Sequence, residues 1–360
     1  MAENIVPESS KPYLRPLHAF RGLAILDIVL LHSFAGAVYF FAAPGVDGVS
    51  ALHLKYVSET LFHSGTIYFA LISGVLFTAV LEPRGWQRFT RDKLSKVLLP
   101  YALMSLLFTS IVMEVGVGLR LWDRGWISFG HVYLENIING RALNNYWYIP
   151  LVMVLFSLTP LLLKSLRSRY ANGFLLVFAV TPLFLSRTGS DITLPMFGHF
   201  IGIYAIGLYL GEDYGRKRLL LTRRRWYLFV IALVSSVVLF CLYENDFEFF
   251  GPVSVRESLF YVQRLAIAGF VIEALHRYED RLPRWLDIIA DQAFAIYFLH
   301  LFFLLVSCHY FLKWLTAPVN TMSIFLIALT MALLALLASM AVCYLLKALL
   351  GKRSRYIVGA

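Results

Sequence analysis

Three ionisable residues stand in a stretch otherwise apolar enough to cross a bilayer: Arg21, Asp27 and His32 in FRGLAILDIVLLHS, residues 20–33. Charge inside a bilayer is costly, so such residues point to a functional site by default. On an α-helix, eleven steps of 100° return His32 to within about 20° of Arg21 and move it roughly 16 Å along the axis. One face therefore carries a guanidinium and, deeper, an imidazole able to act as general base near neutral pH. Asp27 points about 120° away from Arg21 and is not the obvious carboxylate partner of either. The plain alternative is that Arg21 snorkels to the headgroups and His32 hydrogen-bonds a neighbouring helix.

Further on, Glu59, His63, Thr66 and Ser73 recur at spacings of four, three and seven, one face of a helix. Ser73-Gly74, within FALISGVL, also fits a small-residue packing contact. Glu59 and His63 are not explained that way, since ionisable groups need a polar cavity or partners. The basic turn RFTRDKLSKVLLPY, residues 88–101, brings together Arg91, Lys93 and Lys96. It serves topology and could also form a mouth for an anionic ligand. Late in the chain, DQAFAIYFLH places Tyr297 and His300 three apart, where a packing hydrogen bond is the ordinary account. Arg264 and Glu273 are intramembrane charges that either pair with each other or line a cavity.

These residues need elements to position them, and composition says which. The chain of 360 residues is 59% hydrophobic and only 15% charged. Soluble domains lie nearer half apolar and a quarter charged. The excess falls in runs of about 18 to 25 residues, long enough to span a bilayer. Ten spans are expected, near 16–41, 57–81, 95–118, 146–163, 172–187, 196–212, 226–243, 256–275, 287–312 and 320–347. The fold class is all-α, a polytopic membrane helix bundle, and residues 1–360 read as a single domain surrounded by membrane lipid. Cleavage within SFAGAV or FFAAPG would discard Arg21 and His32, and Asp27 suits a signal peptide badly, so the first helix is expected to stay.

Alternate loops carry 23 and 7 of the 32 basic residues, Arg21 and Arg264 lying inside spans. The richer set belongs in the cytoplasm, which puts both termini there. The net charge of +10 therefore marks topology, and no nucleic-acid partner is expected. Cys241, Cys308 and Cys343 have neither metal-ligand spacing nor a disulfide framework, and no metal is expected. The longest loop, about 119–145, is expected on the outer side. It carries Trp122, Trp126 and Tyr133, an interfacial aromatic belt, and runs into NNYWYIP with Trp147.

In order and spacing these pieces resemble the acyltransferase 3 family of membrane O-acyltransferases. LRPLHAFRGLAILDIVLLHS is similar to its first-helix signature of arginine, ten residues, histidine. FALISGVL, KLSKVLLPY, YWYIPLVM and QAFAIYFLH resemble its later elements, with Lys93 and Lys96 where many members have arginines. The resemblance implies transfer of an acyl group, commonly acetyl, from cytoplasmic acyl-coenzyme A to a hydroxyl of an envelope carbohydrate or glycolipid. For that transfer the expected catalytic residues are His32 as general base, Ser73 or nearby amides on the oxyanion, and Arg21, which joins Arg91, Lys93 and Lys96 toward the coenzyme phosphates. Glu59, His63, Trp147, Tyr297 and His300 are further candidates. Direct attack and a covalent acyl-enzyme remain open alternatives. The expected place is the inner membrane of a bacterium, among envelope-assembly partners, with no fused esterase-like domain. Two rival readings are an exporter with His32 and Glu59 as a proton relay and a structural subunit of an envelope-polymer machine.

Overall fold

The computed structural model describes residues 14–42, 48–115, 121–187, 192–314 and 319–359. They form α1 (Arg15–Phe41), α2 (Gly48–Phe62), α3 (Thr66–Leu76), α4 (Trp86–Lys93), α5 (Leu99–Val115), α6 (Leu121–Asn139), α7 (Tyr148–Leu166) and α8 (Ala171–Val180). Then come α9 (Leu194–Gly211), α10 (Tyr214–Glu244), α11 (Val255–Arg277), α12 (Arg284–Asp291), α13 (Ala293–Trp314) and α14 (Thr321–Leu350). A hairpin of two-residue strands, β1 (Phe249–Phe250) and β2 (Val253–Ser254), joins α10 to α11. The protein is a polytopic helical bundle.

Among the described residues nine helical stretches are long and apolar enough to cross a membrane. The fifth expected span, 172–187, is the shorter Ala171–Leu183. Thr181 and Pro182 draw its end into a 3-10 turn, so it covers about 20 Å of a roughly 30 Å core. The expected loop at 119–145 contains a helix, α6, lying on α5. Tyr133 donates to Ala102 O at 3.2 Å, Tyr101 to Ile137 O at 2.7 Å, and Asn136 to Thr109 Oγ1 at 3.0 Å. Polar and aromatic residues alternate around this helix, so it never reads as an apolar run. The side chains of Trp122 and Trp126 lie outside the described residues.

Connections sort to two ends of the bundle. At one end Arg15 pairs with Asp287 at 2.8 Å, and Arg167 bridges Glu82 at 2.6 Å and Glu212 at 2.5 Å. Gly359 lies here too, against Phe294 and Lys96. At the other end His53 meets Glu244 at 3.0 Å, and Ser186 donates to Pro252 O at 3.1 Å. Residue 15 and the last described residues therefore share an end of the bundle.

Buried polar ties set the packing of the central helices. Arg264, 1% exposed, donates to the Tyr68 hydroxyl at 2.9 Å and faces Asp27 at 3.7 Å, linking α11, α3 and α1. Asp27 thus turns from the Arg21–His32 face to meet α11. Glu273 pairs with Arg225 at 3.7 Å, so Arg264 and Glu273 do not pair with each other. The α3–α9 contact is set by glycine. A Cβ at Gly74 would lie 2.5 Å from Tyr204 O, and one at Gly207 would overlap Leu71 O. Small residues at helix interfaces permit this backbone approach in membranes.

Candidate active site

The face predicted on α1 is real, but its two ends line different cavities. His32 lines one of about 350 Å³, together with His63, Ser64, Gly65, Thr66, Asn144, Asn145, Trp147, Arg187, Glu257 and Tyr297. Arg21 lines another of about 130 Å³ with Ser73, Lys93, Tyr148, Phe156 and Phe294. Trp147 and Tyr148 are neighbours that line different cavities, so the start of α7 forms part of the wall between them.

The His32 cavity is built by a break in the second span. The helix stops at Phe62, Ser64 takes a left-handed φ of 63°, and α3 starts afresh at Thr66. Gly65 fits because a Cβ there would overlap the Asp27 carboxylate and approach Ile28 Cγ1 at 3.1 Å. The expected face of Glu59, His63, Thr66 and Ser73 divides by depth: His63 and Thr66 line the His32 cavity, and Ser73 lies about 10 Å further along α3. Glu59 and His63 remain together at 2.7 Å, while Ser73 lines the Arg21 cavity.

His63 is held by carboxylates on both sides: Glu59 at one ring nitrogen and Glu257 at the other, 3.3 Å away. Arg187, 7% exposed, donates to Ser64 Oγ at 2.8 Å and faces Glu257 at 3.4 Å. Its guanidinium also lies 5.4 Å from the centre of the Trp147 ring, within cation–π range. Two carboxylates, one guanidinium and one imidazole thus balance one another's charge in a mostly buried cluster, the condition under which buried charge is tolerated.

Tyr297 and His300 do not bond to each other. Tyr297 donates to Asn145 O and accepts Asn145 Nδ2 on its own carbonyl at 2.7 Å, while Tyr146 donates to Phe298 O at 2.9 Å. These bonds fix the turn before α7 to α13. His300 is fully buried, with Nδ1 on Ile296 O at 2.8 Å and, among the described residues, no partner for Nε2. Its ring lies 5.4 Å from that of His32.

At the opposite end the Arg21 cavity shares Leu81, Lys93, Val97 and Phe294 with a larger one of about 310 Å³. Arg84, Arg88, Asp92 and Lys96 line this vestibule. Lys93 Nζ sits 4.3 Å from the centre of the Phe156 ring, and Lys96 pairs with Asp92 at 2.6 Å. Arg91 is not part of the mouth. It lines a separate depression with Trp86 and Leu94, because two helical steps from Lys93 turn it about 160° away. Arg84 and Arg88 take its place, and their spacing of four with Asp92 and Lys96 was the readable sign.

The model of the acyltransferase domain matches residues 16–348, nearly the whole bundle. The chain belongs to the acyltransferase 3 family. It is an acyl-transferring membrane enzyme. A Bacillus subtilis (strain 168) protein named as a membrane-bound acyltransferase, YfiQ, is 19% identical over 310 residues, covering 82% of each chain. No solved structure gives a significant match.

For an acyltransferase 3 enzyme the first-helix pair was the clearest sequence signal. Glu257, Arg187 and Asn145 were missed. Glu257 had a local sign, since Ser254 caps α11 by accepting its amide at 3.2 Å in an S-x-x-E pattern. Arg187 and Asn145 carried none, because what brings them to His32 is tertiary packing. Among the described residues no group of three or more His, Cys, Asp and Glu is arranged to hold a metal ion.

Proposed function

We propose that the protein carries an acyl group, most simply acetyl, from acyl-coenzyme A on the cytoplasmic side to a hydroxyl of an envelope carbohydrate or glycolipid. The donor phosphates lie against Arg84, Arg88 and Lys96 in the vestibule, and its thioester arm passes Lys93 and Arg21. The acceptor hydroxyl enters the His32 cavity from the other end. His32 takes its proton as it attacks the thioester carbon. Trp147 offers an aromatic face beside the acceptor.

One observation carries this reading. Arg21 and His32 share a helix face, yet each lines a different cavity. About 16 Å of α1 lies between a cation-rich pocket and a histidine-rich one. A donor reaching in from one side and an acceptor from the other would use that arrangement. The charge bias of the loops supports a cytoplasmic basic end and, with it, a multi-pass protein of the bacterial inner membrane.

The test uses sealed inside-out vesicles, labelled acetyl-coenzyme A and endogenous envelope glycan. Wild type is expected to transfer label, and His32→Ala at equal protein level is not. Equal label in both would remove His32 as the base. Acylation with both substrates confined to the cytoplasmic face would overturn the transmembrane route.

A further inference from the structure

The break between α2 and α3 does more than shape a wall. α3 begins at Thr66, so its axis ends on the cavity that holds His32. The amides of Ile67 and Tyr68 are occupied by Ser64 O and Gly65 O, at 3.0 and 3.1 Å. Those of Gly65 and Thr66 are the opening positions, for which a helix offers no acceptor of its own. They carry the positive end of the helix dipole. Two buried side chains that line the same cavity add unmet donors. Among the described residues the Thr66 hydroxyl has no partner, and neither has Nη1 of Arg187, a residue more than nine-tenths buried. Gly65 packs on Asp27 and Ile28, and His32 lies one turn of α1 beyond Ile28 on the same face.

We propose that this break is the subsite for the carbonyl oxygen of the transferred acyl group, with the Gly65 and Thr66 amides and the Thr66 hydroxyl as its donors. The proposal rests on the acyl-transfer reading above and names where its transition state is held. In the step, the acceptor oxygen forms a bond to the thioester carbon while His32 takes the hydroxyl proton. The carbonyl π pair moves onto oxygen, and the resulting oxyanion accepts from the break. Collapse restores the C=O bond and breaks the C–S bond, and the departing thiolate takes the proton back from His32. A packing role accounts for Gly65, whose Cβ would meet Asp27. It does not account for an unpartnered hydroxyl on the cavity side of a freshly started helix. Donors aimed at developing charge in a water-poor site are worth most in the transition state.

The experiment uses the full-length protein in membranes, with labelled acetyl-coenzyme A and envelope glycan from the source cells. Thr66→Val keeps the shape and removes the hydroxyl. Its expected kcat is lower by about 10²-fold, with KM for acetyl-coenzyme A within about twofold, the signature of an interaction made only in the transition state. Thr66→Ser is expected to recover most of the loss. If Thr66→Val does not accumulate, an ester in place of the amide at position 66 removes the N–H alone and is expected to lower kcat in the same way. Wild-type kcat in Thr66→Val, or in the ester variant, overturns the subsite and leaves the acyltransferase reading intact. Absence of transfer by wild type overturns both.

Discussion

The two cavities differ in how their charges are balanced. In the vestibule and the pocket above it, Arg21, Arg84, Arg88, Lys93 and Lys96 share the lining with Asp92, the one carboxylate among the described residues there. Around His32, charges pair off, with His63 between Glu59 and Glu257, and Arg187 against Glu257 and Ser64. A surplus of cations attracts an anion and loses little if one is removed. A closed set holds a shape and loses much if one member goes. On the proposed function, the basic end is the binding surface for the donor, and the His32 end a frame of paired charges around the base.

Substitutions can break or sharpen that contrast. The largest effect is expected from His32→Ala, a fall in kcat of about 10²–10⁴-fold at unchanged protein level, read as label transferred per unit protein. Next is Glu257→Gln. It leaves Arg187 and His63 without their shared anion, and removing one member of a buried ion pair costs roughly 3–5 kcal/mol. Thermal unfolding in detergent would show this, and an unchanged melting temperature would refute the closed frame. Lys93→Ala is expected to leave stability alone and raise KM for acetyl-coenzyme A about tenfold, near 1.4 kcal/mol. Its KM should also respond less to added salt. The smallest effect belongs to Arg91→Ala, which sits outside the mouth; KM within about twofold is expected, as for an ordinary surface change. A tenfold rise there would return Arg91 to the donor site.

How much was legible follows from the range of each interaction. The spans were legible because bilayer thickness demands long apolar runs. The Arg21–His32 face was legible because helical period is local. Ser73 was grouped with His63 and Thr66 because a shared face says nothing of depth, and seven residues of α3 carry it about 10 Å into the other cavity. Arg91 was grouped with Lys93 by closeness in sequence, although the helix turns them apart. Amphipathic α6 hid inside an expected loop, since hydropathy detects the length of an apolar run and not periodicity. Arg187 reaches His63 across 124 residues, and no local rule spans that distance.

The Asp27–Arg264 pair has a consequence for how the protein is made. Asp27 enters the bilayer with the first helix, whereas its cation belongs to α11 and is synthesised 237 residues later. At about 5–20 residues per second this is a delay of roughly 12 to 50 seconds. Throughout that interval the nascent chain holds an acidic side chain in the membrane without its final counter-ion. Assembly therefore has a clock: α1 can insert early, but it cannot take its settled place until α11 arrives.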